Sequence, residues 1–248
     1  MKVDVHFGAH ALPPGEVSGR VVAVIDVLRA SSVIATALDH GARAIIPFES
    51  SEEVVTRAKA FAREDVRIAG EHRMHPIPGF DLGNSPASFS PEAVEGKTLL
   101  MTTTNGTGAL LAVAGARDVV VASYVNFTAV LTMLRTALRG GTDVAIVCAG
   151  HERHFSLEDS ACAGRYVHHL LRAHVDVEPN DAAVAASLID RKYGDNLARL
   201  FAASTHGKAL ADAGFGEDLT ACAAMDAHPV IPVYQDRQIT KLGPDRER

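Results

Sequence analysis

Short runs rich in Val and Ile alternate along the chain with longer segments of helical period. Strands are predicted at 2–6 (KVDVH), 21–27 (VVAVIDV), 43–48 (RAIIPF), 66–69 (VRIA), 97–102 (KTLLMT), 118–122 (DVVVA) and 143–149 (DVAIVCA). The inner five are almost continuously apolar, the pattern of strands covered by helices on both faces. Helices are predicted at about 30–40, 51–63, 106–115 and 126–139. Val33, Ile34, Ala37 and Leu38 form one apolar stripe on the first, and Gly41 is placed to stop it. Ser50 and Glu53 make a capping box ahead of the second, and Gly140-Gly141 ends the fourth. This β-α-β rhythm predicts an α/β fold, a three-layer α/β/α arrangement around a largely parallel or mixed central sheet. After residue 150 the chain becomes helix-rich, with helices expected at 157–174, 180–192, 195–203 and 206–213 and N-caps at Ser156 and Asn180. Two short strands, around 230–234 and 237–241, are expected to return to the sheet edge. No linker, repeat or charge block divides the chain, so residues 1–248 read as a single domain.

Composition narrows the class. With 248 residues, 47% hydrophobic and 22% charged, the chain is not disordered. No apolar run approaches the roughly 18 residues of a membrane span. Even VVAVIDVL (21–28) is broken by Asp26, so no membrane role is expected. MKVDVHFGAH lacks the apolar stretch of a secretory signal. Cys148, Cys162 and Cys222 are odd in number and lack C-x-x-C spacing. That suits a reducing cytoplasm and excludes a disulfide framework or a zinc ribbon. A net charge of −6 without basic clusters argues against nucleic acid as a partner. A homo-oligomer is left open.

Ligands of open parallel sheets bind beyond the carboxyl ends of the strands. The turn after 21–27 carries Asp26, Arg29, Ser31 and Ser32. Glu71 and Arg73 follow 66–69, opening a loop that reaches Asp81, Asn84 and Ser85. Thr103, Thr104, Asn105 and Gly106 follow 97–102, Asn126 follows 118–122, and Asp159 lies beyond 143–149. Any one of these turns is explained by capping alone; five delivering polar groups to one edge suggest a site. Asp26, Glu71, Asp81 and Asp159 are hard oxygen donors of the kind that hold Mg²⁺. Asp159 also reads as a cap partner of Ser156, and Asp81 as a turn former. Asp26 is hardest to dismiss, because it interrupts an apolar strand and needs a cation or an arginine beside it. The TTTNGTG run and Arg29-Ala30-Ser31-Ser32 open helices, where backbone N–H groups favour anions. Acids for a metal beside anion sites describe phosphoryl transfer.

Several familiar motifs fail on spacing. There is no G-x-x-x-x-G-K-[ST] and no G-x-G-x-x-G, since Leu111 stands where the third glycine belongs. Cys148 has His154, not arginine, six residues on, and Leu28 occupies the place of a second acid after Asp26. His151 and His154 are three apart, one short of a zinc-protease pair. His72, His75, His151 and His154 therefore read as surface or supporting groups, His40, His168, His169 and His174 as solvated, and Cys148 as a packed strand end.

GFDLGNSP (79–86), TTTNGTGAL (102–110), DVLRASS (26–32), CAG with FSLED (148–150, 155–159) and THGKAL (205–210) together resemble the 2-phosphosulfolactate phosphatases. The matches run in order from about residue 20 to residue 232. The resemblance implies an α/β/α fold and a Mg²⁺-dependent phosphatase that converts 2-phospho-3-sulfolactate to 3-sulfolactate and phosphate, on the way to coenzyme M. It implies Asp26, Glu71, Asp81 and Asp159 as catalytic acids, the first three as metal ligands. Arg29, Ser31, Arg73, Asn84, Ser85, Thr103, Thr104, Asn105, Gly106 and Asn126 become the expected substrate lining. Where the family reads N-G-T-R this chain has Gly108, where it reads G-E-R it has Glu71-His72-Arg73, and His151–His154 replace a smaller loop. Either water or Asp26 attacks phosphorus. A phosphatase for another small phosphorylated acid, and a non-catalytic anion-binding protein, are the competing readings.

Overall fold

The computed structural model describes residues 1–173 and 176–243. In chain order the strands are β1 (Lys2–His6), β2 (Val21–Ile25), β3 (Ala44–Pro47), β4 (Val66–His72), β5 (His75–Pro76), β6 (Thr98–Thr102), β7 (Asp118–Ala122), β8 (Val144–Cys148), β9 (Glu178–Pro179), β10 (Pro232–Gln235) and β11 (Gln238–Lys241). The helices are α1 (Ala30–Asp39), α2 (Ser51–Ala58), α3 (Pro91–Val94), α4 (Gly106–Ala112), α5 (Phe127–Arg139), α6 (Leu157–Ala173), α7 (Asp181–Tyr193), α8 (Leu197–Ala203), α9 (Thr205–Asp212) and α10 (Gly216–Cys222). The expected solvated His174, and with it the end of the 157–174 helix, lies outside the described residues.

The strands form one mixed sheet in the order β5-β4-β6-β3-β11-β10-β7-β2-β8-β1-β9. β2 explains the three layers. All five of its residues are buried, and successive side chains leave a strand on opposite faces. Val21, Ala23 and Ile25 join the core beneath α5 and α6; Val22 and Val24 join the core beneath α1 and α4. Such double burial requires helices on both sides. The C-terminal helices extend the first layer. Gly164 on α6 faces α7 so closely that a Cβ there would lie 2.0 Å from the Ala186 carbonyl oxygen.

The final two strands correct the expectation drawn from the sequence. They do not return to an edge but enter the middle of the sheet as an antiparallel hairpin, β10 pairing with β7 and β11 with β3. Their turn is Asp236-Arg237, both residues left-handed (φ 52° and 62°), the primed geometry that matches strand twist but usually needs glycine or asparagine. α2 ends at Ala58 and α4 at Ala112, short of their expected limits, and α10 was not expected. β4 continues through Glu71 to His72, so that acid is held on a strand rather than a loop.

β4 and β6 lie across β3 and the hairpin from β2 and β8. Even so, Gly106 at the head of α4 meets Asp26 at the end of β2. α1 packs on β7, β10 and β11, and the segments that follow β2 and β6 meet at Asp26 and Gly106.

Candidate active site

β2 delivers Asp26 to this junction, and the start of α1 fixes it. The Asp26 N–H donates to Ser31 Oγ (2.9 Å), the Ser31 N–H to the Asp26 carbonyl (2.8 Å), and the Ala30 N–H to Asp26 Oδ1 (3.3 Å). The side chain is buried. Burial, joined by the charges of Glu71 and Glu158, pushes its carboxyl up to about 6, although His206 and the Ala30 N–H act the other way. A Cβ on Gly106 would lie 2.9 Å from Asp26 Oδ2 and 2.8 Å from Ala30 Cβ, so α4 can begin here only with glycine.

Glu71 closes the cavity from the β4 side. Its Oε1 accepts from the Thr104 N–H (2.7 Å) and its Oε2 from the Met74 N–H (2.8 Å). The latter amide belongs to a two-residue turn, Arg73-Met74, with φ 48° and 73°, between the paired His72 and His75. A second such turn, Glu152-Arg153 (φ 48° and 65°), links His151 and His154. Its Glu152 N–H donates to Asn105 Oδ1 (3.0 Å), joining the loops after β6 and β8. Between these loops lies a cavity of about 260 Å³, whose walls include Asp26, Glu71, Arg73, Asn84, Asn105 and His206. Thr103, Thr104 and Arg29 also line it. The Asn84 side-chain oxygen is buried with no hydrogen-bond partner among the described residues.

The helical C-terminal part supplies the opposite wall. His206 on α9 stacks on His151 (4.1 Å between centroids, 23° between planes). Its Nδ1 lies 3.4 Å from Oε1 of the buried Glu158. Burial works to raise the Glu158 carboxyl, but the bond and charge of His206 outweigh it and hold the group below the usual range. Burial, followed by the charge of His206, lowers His151. Arg29 is not a free cation. Its NH1 lies 2.5 Å from Asp218 Oδ2, its NH2 donates to the Met74 carbonyl (2.7 Å), and its guanidinium lies 4.4 Å from the centre of the Phe215 ring. The Ser85 hydroxyl donates to the other Asp218 oxygen.

Five expected site residues take other places, Ser85 on Asp218 among them. Asp81 stays outside the cavity, because Arg63 and the Ile68 N–H (2.9 Å) occupy its oxygens. Burial works to raise its carboxyl, yet those hydrogen bonds hold it low. Of the three acids expected to hold a metal, the structure brings only Asp26 and Glu71 to one cavity. Asp159 does not line the cavity; it accepts from the Val27 N–H (2.8 Å) and Gly150 N–H (3.2 Å), tying the ends of β2 and β8. Burial, with the charges of Glu158 and Asp26, raises it well above the usual range, although its two backbone hydrogen bonds act the other way. Asn126 is fully buried and spends its amide on Ser123, Val121 and Val230, so it is a brace, not substrate lining. Ser31 turns its hydroxyl to the backbone rather than to the cavity. Cys148 is buried on β8 and raised well above its ordinary pKa by burial and by Asp159.

Sequence reasoning assigned no role to His206, Glu158, Asp218 or Phe215. His206 and Glu158 do lie in THGKAL and FSLED, whereas no pattern singled out residues 215–218. A sequence profile for the family described as 2-phosphosulpholactate phosphatase matches residues 8–237. A probable 2-phosphosulfolactate phosphatase of Symbiobacterium thermophilum is 40% identical over 232 residues, covering 93% of this chain and 98% of that protein. Proteins of the same printed name from Caldanaerobacter subterraneus (39%, covering 85% and 86%) and Clostridium beijerinckii (35%, covering 97% and 99%) are similar along most of their length.

Proposed function

The chain belongs to the 2-phosphosulpholactate phosphatase family of phosphoric monoester hydrolases, and from that premise we propose that its cavity hydrolyses 2-phospho-3-sulfolactate to 3-sulfolactate and phosphate with the aid of Mg²⁺. The observation that carries this reading is the meeting of Asp26 and Glu71 in one small cavity beside the unpartnered Asn84 oxygen. Three oxygen donors, two of them acids whose closeness raises Asp26, fit a hard divalent cation. Asp26, Glu71 and Asn84 would hold it. When bound, the ion neutralises charge on the phosphoryl oxygens as the ester bond breaks.

The protein's own groups do the rest. In this reading Asp26 is engaged in holding the ion, so its carboxylate is not the nucleophile. Water is therefore the attacking group: its oxygen bonds to phosphorus as the bond to the lactate oxygen breaks. Protonated His206, held at Nδ1 by Glu158, gives its Nε2 proton to that leaving oxygen, and the proton that the attacking water brings into the phosphate product restores the imidazolium. Arg73, the cavity arginine without a carboxylate partner among the described residues, meets the carboxylate and sulfonate end. With a net charge of −6, local cations must do this, since long-range attraction cannot. Among the described residues no helix is long and apolar enough to cross a membrane. Three free buried cysteines suit a cytoplasmic enzyme.

Phosphate release from 2-phospho-3-sulfolactate and from a panel of other small phosphate esters, with and without EDTA, tests the reading. The sulfonated substrate should lead the panel by at least tenfold in kcat/KM, and EDTA should abolish turnover. A better non-sulfonated ester supports the broader phosphatase instead, and EDTA-resistant turnover removes the metal.

A further inference from the structure

At the other end of α1, about 15 Å along the helix from Ala30 at a rise of ~1.5 Å per residue, stands a cluster with no part in the phosphatase chemistry. Asp39 is the last residue of α1 and His40 its C-cap, while His228 comes from the loop before β10. Each offers one ligand atom, and these atoms lie within 4.8 Å of one another. We propose that Asp39, His40 and His228 form a second metal site that takes a divalent ion of the Zn²⁺ class and fastens α1 to the loop leading into the inserted hairpin.

The hydrogen bonds around the cluster fit this role. The His40 Nδ1 lies 2.7 Å from the Phe89 carbonyl oxygen, which can only accept. Nδ1 therefore carries the proton, and in the neutral ring Nε2 keeps its lone pair. A carbonyl orienting the other nitrogen is the usual support of a metal-binding imidazole. The His228 Nδ1 lies 3.0 Å from Asp39 Oδ2, and the two imidazole rings meet nearly perpendicular at 5.2 Å. Two imidazoles and one carboxylate form a ligand set that suits zinc.

Charge argues the same way. Asp39 ends a helix where the last carbonyls concentrate negative charge, the unfavourable end for an anion. A cation relieves it. The support is also rigid. The His228 N–H donates to the Val125 carbonyl (2.8 Å) and the Val230 N–H to the His228 carbonyl (2.7 Å). Asp226 in the same loop takes the Thr128 N–H (2.7 Å) and hydroxyl (2.6 Å). An ion at the centre of three atoms no more than 4.8 Å apart would sit at most about 2.8 Å from each. Closure by at most about 0.7 Å then brings zinc distances near 2.1 Å, within reach of side chains that remain partly exposed (20% for His228, 29% for Asp39).

The test titrates the metal-free, full-length protein with Co²⁺, read by its visible absorption, and then with Zn²⁺, read by displacement and by melting temperature. One Co²⁺ per chain should bind with the intense bands of four-coordination, and Zn²⁺ should displace it. Zn²⁺ well above its Kd should raise Tm by about 3 °C or more. His228→Gln or Asp39→Asn should weaken Zn²⁺ at least tenfold, whereas the double variant Asp26→Asn/Glu71→Gln should keep the spectrum. Unchanged Zn²⁺ affinity in both His228→Gln and Asp39→Asn overturns the site. So does loss of the spectrum in the double variant alone, or the absence of micromolar binding by the unaltered protein.

Discussion

Asp26→Asn tests the site through stability as well as activity. Amide for carboxylate keeps the shape and the acceptor for the Ala30 N–H but removes the charge. In the metal-free protein the Asp26 carboxyl is raised from 3.8 to about 6, first by burial and then, among the raising influences, by Glu71 and Glu158. A carboxyl raised on folding binds more protons folded than unfolded. Its contribution to stability is complete below pH 3.8 and is lost as pH rises through about 6. Two pH units at ~1.36 kcal/mol each amount to about 3 kcal/mol. Urea melts in EDTA should therefore find Asp26→Asn about 3 kcal/mol more stable than wild type at pH 7.5, with the two converging below pH 4. Asp159 is raised by burial and partly by the Asp26 charge, so the variant relieves Asp159 as well, in the same direction. Mg²⁺ should restore the wild type at pH 7.5 and leave the variant unmoved. Phosphate release should fall by 10² or more, at least about 2.7 kcal/mol in the transition state. A variant that melts earlier than wild type at pH 7.5 yet turns over normally per folded molecule refutes the reasoning, and makes Asp26 a brace.

Asp218→Ala leaves the Arg29 guanidinium buried without its carboxylate, so it should cost about 3–5 kcal/mol and lower Tm by roughly 6–20 °C in calorimetry; a loss under ~0.5 kcal/mol would mark the pair as idle. Gly106→Ala forces a methyl against Asp26 Oδ2 and Ala30 Cβ. It should destabilise by about 1–3 kcal/mol in urea and reduce kcat more than it raises KM. Cys148→Ser should keep phosphate release within about tenfold, ~1.4 kcal/mol, because burial holds the thiol protonated; a fall of several orders in a folded variant would revive thiolate chemistry.

The parallel core was legible because its strands announce themselves: a run such as VVAVI has no face left for water. The closing hairpin was legible as two short strands, but its place in the middle of the sheet was not. β10 and β11 are four residues each with mixed exposure, and their turn uses Asp236-Arg237, residue types that do not signal a left-handed pair. Asp26 was legible for the same physical reason as the strand it interrupts. Asp81 and Asn126 misled because residue type does not disclose whether hydrogen bonds close on neighbours. Only the fold brings Arg63 to Asp81, and Val230 to Asn126. His206 and Asp218 stayed hidden because helical periodicity shows which face of α9 or α10 is apolar, not which strand end that face will meet.

Five long connections knit the cavity: Arg29 to Asp218, Glu71 to Thr104, Asn105 to Glu152, Glu158 to His206, and Ser85 to Asp218. Each joins segments far apart in the chain, so the cavity depends on the tertiary fold rather than on any one element. Two of the segments that close it, Arg73-Met74 and Glu152-Arg153, hold non-glycine residues at positive φ, at about 1 kcal/mol or more each. Their geometry accounts for the strain. The primed turn at 73–74 aims the Met74 amide at Glu71 Oε2 and the Met74 carbonyl at Arg29, while that at 152–153 aims the Glu152 amide at Asn105. Glycine would relax both turns and would also free them to move. Side chains there favour a single rim conformation by narrowing the unfolded alternatives. The rim is strained because it must hold an acid, an arginine and an amide in register around a cavity smaller than most ligand pockets.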